Sequence, residues 1–100
     1  FAQNDEMGIG AAQAVTAAGL VPGTDVKIAT IDGTTGALEA LAAGQLSFVA
    51  QYNPFFGDIA VDAVQKALAG DSVEKTLIVD SATFDSPEAA EQAIADGQGF

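Results

Sequence analysis

Apolar and polar positions along the 100 residues switch repeatedly between two periods. From Glu6 to Ala18, Met7, Ala11, Ala14, Val15 and Ala18 recur on one 3.6-residue stripe, which predicts a helix stopped by Gly19. After the turn "VPGTD", the β-branched Val26, Ile28 and Ile31 predict a short buried strand over residues 26–31. A second helix is predicted over 35–43, with Leu38, Leu41 and Ala42 inward and Gly44 as its stop, and residues 46–50 form the next strand. Pro54 disfavours helix at Asn53 and opens a new element, in which Phe56, Ile59, Ala60, Ala63, Val64, Ala67 and Leu68 mark an amphipathic helix ending at Gly70. The run "TLIV" (76–79) predicts a last strand, and Ser86 with Pro87 caps a helix reaching Ala95. With "FAQ" (1–3) as a strand end, the order is β-α-β-α-β-α-β-α. That alternation defines an α/β chain, a mainly parallel sheet with flanking helices.

Composition narrows the functions. Although 49% of the residues are hydrophobic, 21 are Ala, each of which buries little area, so the large side chains must supply most of the core. Fourteen acids against three basic residues give a net charge of −11, which repels phosphate backbones and anionic membrane surfaces. No direct nucleic-acid partner and no metal site are expected, the acids being spread along the chain without calcium-loop spacing. The absence of Cys and His removes thiol and imidazole chemistry, including nucleophile triads. Gly8 and Gly10 are followed by Gln13 where a third glycine would complete a dinucleotide fingerprint, so no cofactor is expected. No apolar run approaches the ~18 residues of a membrane span.

In an open parallel sheet, ligands bind beyond the carboxyl ends of the strands. Asn4, Asp32 and Gln51 follow three successive predicted strands at that end. Two amides and one carboxylate can exchange hydrogen bonds with hydroxyl groups without acting as strong acids or bases, which suits a neutral polyhydroxylated ligand. Each residue also has a purely structural reading. Asn4-Asp5 can cap a helix, and Asp32-Gly33 can form a turn closed on its own backbone. Tyr52 and Phe55 are candidates to stack on a sugar face, whereas Phe56 fits a helix core.

The segments "FAQNDEMGIGAAQAV", "VKIATIDGTTGALEALAAGQLSFVAQYNP" and "FGDIAVDAVQKALAGDSV" closely resemble the C-terminal part of periplasmic sugar-binding proteins of the ribose-binding type, the substrate receptors of carbohydrate ABC importers. The ending "FDSPEAAEQAIADGQGF" is more similar to the galactofuranose-binding branch. The resemblance implies a two-lobed type I periplasmic binding protein fold that closes on a monosaccharide. It gives Asn4, Asp32 and Gln51 the role of sugar ligands and implies no catalytic residue. Residues 1–51 would belong to the ligand-binding lobe, 52–70 would cross over and pack a helix on the other lobe, and 71–100 would supply a return strand and terminal helix. Importer membrane subunits are the implied protein partners, without direct membrane insertion, and the implied location is periplasmic, or extracellular with a lipid anchor. The abrupt opening at Phe1 is expected to be an internal cut, with a signal peptide and most of one lobe lying upstream. The alternative is the effector-binding core of a LacI-type repressor, which shares the fold.

Overall fold

The computed structural model describes all 100 residues. Its elements are α1 (Asp5–Ala17), β1 (Ala29–Asp32), α2 (Thr35–Ala42), β2 (Phe48–Gln51), α3 (Gly57–Ala69), β3 (Thr83–Phe84) and α4 (Pro87–Ala95). The strands lie in the order β1-β2-β3. β1 and β2 run parallel, in a register that places Ala29 opposite Phe48 and Asp32 opposite Gln51. The short β3 pairs antiparallel with β2 through Val49–Phe84 and Ala50–Thr83.

Local sequence sets the helix boundaries. Asn4, Thr34 and Ser86 cap α1, α2 and α4 by accepting from the amides of Met7, Ala37 and Ala89, and Pro87 opens α4 with a ring already suited to helical φ. α3 ends at Gly70 in the left-handed conformation. α2 lies between α1 and α4, and this explains why it buries Ala37, Leu38, Ala40 and Leu41, a broader face than one stripe. Around it the core gathers Ile28, Leu46, Val49 and Phe84 with the alanines of α1 and α4.

Three expectations are corrected. Residues 1–3 form no strand; a single bond from the Ala2 amide to the Ala29 carbonyl, 2.8 Å long, lays them beside β1. The predicted strand at 76–79 has no ladder partner, and Ile78 is 82% exposed; the chain joins the sheet later, at β3. On α1 the buried face is Asp5, Gly8 and Ala12, flanked by Ile9 and Val15, whereas Met7, Ala11, Ala14 and Ala18 are exposed. Gly8 explains that rotation: a Cβ there would stand 3.0 Å from the Cβ of Thr30, so α1 approaches β1 along its glycine.

Candidate functional site

The carboxyl ends of β1 and β2 carry two of the three expected ligand residues side by side. Asp32 and Gln51 are register partners, and the Tyr52 amide donates to the Asp32 carbonyl at 2.8 Å. Asn4 reaches the same end of the sheet through its neighbour. Asp5 accepts at one carboxylate oxygen from the amides of Gly33 (2.8 Å) and Thr34 (2.7 Å), the residues that follow Asp32.

The three side chains are engaged differently. Asn4 accepts the Met7 amide at 2.9 Å through Oδ1, so the capping reading holds for that atom and leaves Nδ2 free of any hydrogen bond within the chain. Gln51 donates from Nε2 to the Gln98 carbonyl at 3.0 Å and accepts the Ala82 amide at Oε1, 3.3 Å away. One Nε2 hydrogen therefore remains available. None of the hydrogen bonds around this rim ends on the Asp32 carboxylate. Its backbone is unusual as well. With φ at 140°, Asp32 is the chain's one non-glycine residue at positive φ, a conformation whose strain concentrates at ligand sites. A turn in which the aspartate satisfies its own backbone would not leave the carboxylate unpaired, so the Asp-Gly turn reading does not fit.

Gly33, at φ 90°, continues the sharp exit from β1 and lies against Gln51, where a Cβ would meet the Gln51 Cγ at 3.0 Å. Residues 98–100 complete the rim. The Phe100 carbonyl accepts from the Thr35 amide at 3.1 Å, Gly99 packs on Thr35, and the Phe100 ring meets Phe55 edge to face at 6.3 Å. Tyr52 and Phe55 remain exposed beside the strand ends.

Sequence reasoning missed Asp5 as an organiser of this site. Besides the two amides, its carboxylate accepts from Thr34 Oγ1 (2.9 Å) and Thr30 Oγ1 (3.0 Å), and it is fully buried. The available signal was its position three and seven residues before Gly8 and Ala12, on the face of α1 that packs inward. No cluster of carboxylates has the geometry to hold a metal ion.

A parallel strand pair that presents polar side chains at its carboxyl ends, wrapped by helices, is the arrangement with which open α/β folds hold ligands, the type I periplasmic binding protein fold among them. The chain belongs to that family: residues 1–84 match the model of the periplasmic binding protein-like domain. It is 57% identical over 91 residues to the fructose import binding protein FruE of Bifidobacterium longum, covering 91% of this chain and 27% of that protein. It is 31% identical over 94 residues to the galactofuranose-binding protein YtfQ of Escherichia coli, covering 94% and 30%. A crystal structure from Mycobacterium smegmatis in complex with β-D-fucofuranose superimposes with a TM-score of 0.86 at 38% identity, over 96% of this chain and 31% of that one. The chain thus spans less than a third of the length of these relatives.

Proposed function

We propose that these residues form the C-terminal part of a receptor that binds a monosaccharide between two lobes and delivers it to an ABC-type importer. The unpaired carboxylate of Asp32, held at positive φ at the end of β1, is the observation that carries this reading. A carboxylate with no partner in the chain is an acceptor for two sugar hydroxyls, and such charge-assisted bonds are the stronger kind. Asn4 Nδ2 and the remaining Nε2 hydrogen of Gln51 are donors to the same ligand. The names of the relatives, which specify fructose, galactofuranose and ribose, support a monosaccharide, and the 57% identity to a fructose import binding protein puts D-fructose first among the candidates.

In this reading residues 1–51 line the cleft, 52–70 cross to the second lobe and pack α3 against it, and 71–100 return. The apolar stripe of α3, which buries no residue within this chain, is the surface that the second lobe would cover. The receptor works in the periplasm or at the outer cell surface, and its protein partners are the importer's membrane subunits.

Calorimetric titration of the full-length protein with D-fructose, D-ribose and L-arabinose tests the reading. At least one sugar is expected to bind, and Asp32→Ala is expected to remove about 2–4 kcal/mol of affinity, roughly 30- to 1,000-fold. A variant that binds as tightly as the parent would remove Asp32 from the site.

A further inference from the structure

The geometry points to Asp5 as a positioning residue whose buried carboxylate holds Asp32 in its strained, ligand-ready conformation. The ligand arm of this inference rests on the sugar-site reading above; the conformational arm does not.

Asp5 is fully buried and carries four hydrogen bonds, from Thr30 Oγ1, the Gly33 and Thr34 amides and Thr34 Oγ1. Burying a carboxylate is costly unless donors replace its water, and here every donor comes from β1 or the residues just after it. The electrostatics favour the same arrangement. Asp5 opens α1, and the amides it accepts lie at the N-cap of α2, so two helix N-termini point their positive ends at one anion.

The bonded atoms bracket Asp32. On one side, the β1–β2 register fixes Thr30 and Ile31 against Val49 and Ala50. On the other, the Asp32 carbonyl takes the Tyr52 amide, and the next two amides both end on Asp5. A residue clamped before and after has no freedom to relax φ, and 140° is therefore imposed on it by its neighbours. Asp5 contributes to both clamps, through Thr30 Oγ1 upstream and through the Gly33 and Thr34 amides downstream. Thr34 couples the downstream clamp further, because its hydroxyl donates to Asp5 while accepting from the Ala37 amide as the cap of α2. Asp5 itself is fully buried and is a positioning residue, acting on ligand only through Asp32.

The test compares Asp32→Gly with Asp32→Ala in two backgrounds of the full-length protein, the parent and Asp5→Ala. Both substitutions delete the carboxylate, so their ratio isolates backbone strain. Without ligand, the glycine variant is expected to have the larger folding equilibrium constant, by about 10-fold, because glycine adopts positive φ freely. In the Asp5→Ala background the Gly33 and Thr34 amides lose their acceptor, the clamp opens, and the ratio is expected to fall below about 3-fold. An unchanged ratio overturns the inference. Should Asp5→Ala fail to fold, Thr34→Val removes one of the bonds to Asp5 and is expected to lower the ratio in the same direction; no change there overturns it equally.

Affinity for the sugar that binds the parent gives the second arm. Asp5→Ala is expected to weaken binding about 10-fold when Asp32 is present and less than about 2-fold in the Asp32→Ala background. Equal losses in both would mean that Asp5 acts on the fold at large and would overturn the positioning role. If the parent binds no sugar, the receptor reading fails, and the ligand-free ratio still decides the role of Asp5.

Discussion

Two aspartates at one sheet end, Asp5 and Asp32, have opposite environments. The first is buried among four donors; the second, at the end of β1, has no donor in the chain and a backbone angle few side chains adopt. The strand-end rule made Asp32 and Gln51 legible in the sequence, since it needs only the order of strands and the residue that follows each. It did not reveal Asp5, because an acidic residue opening a helix is so often a solvated cap that nothing local marks this one as interior. For Asn4 the two readings meet in one side chain, with Oδ1 capping α1 and Nδ2 free. Asn4→Ser should separate them. Serine caps as well as asparagine, so the melting temperature should hold, whereas loss of the Nδ2 donor should weaken sugar binding about 5- to 30-fold. A loss of stability with unchanged affinity would leave Asn4 only its capping role.

At the scale of the element, the misread face of α1 has a simple cause. In a helix built of Ala and Gly, hydrophobicity varies little around the axis, and the large Met7 outweighs a buried aspartate and glycine in any apolar count, although Met7 is exposed. Close approach, not hydrophobicity, chose the buried side. Gly8→Ala is therefore expected to destabilise the full-length protein by about 1–3 kcal/mol through overpacking on Thr30, even though alanine is the better helix former. Gly10→Ala, in the same helix with nothing within 4 Å of its added carbon, is expected to stabilise by about 0.5–1 kcal/mol. Chemical denaturation of the pair decides the point, and two shifts of the same sign would refute it. The run 76–79 was misplaced for a different reason. β-branched residues suit a strand, but a strand also needs a neighbour, and β2 offers its second edge to Thr83–Phe84 instead.

For the whole molecule, dimensions matter most. The radius of gyration is 17.1 Å, against about 13 Å for a compact chain of this length, and the extents are 60 × 25 × 15 Å. Only 16 of 100 residues are buried, and α3 leaves Leu68 84% exposed. The alternation of elements announced the α/β class, but a stripe on a helix says only that something covers it, and not what. Residues 1–100 expressed alone should accordingly melt broadly and bind a dye for exposed apolar surface. A sharp cooperative transition of the monomer would contradict this. On the proposed receptor reading, X-ray scattering of the full-length protein should record compaction when the cognate sugar is added, because a ligand that touches both lobes stabilises only the closed arrangement. An unchanged radius at saturation would count against closure.

Residues 98–100 give the site a second, remote control. Gln98 holds the Gln51 amide through its main-chain carbonyl, and Phe100 joins the start of α2 to Phe55. Both acceptors are main-chain carbonyls, so a substitution there reaches Gln51 and the entry to α2 only by shifting the backbone of residues 98–100. On the proposed sugar-site reading, a backbone shift of residues 98–100 retunes affinity through Gln51, while the residues at Asn4, Asp32 and Gln51 stay constant. Lineages with identical cleft residues need not, on that account, share a working concentration range.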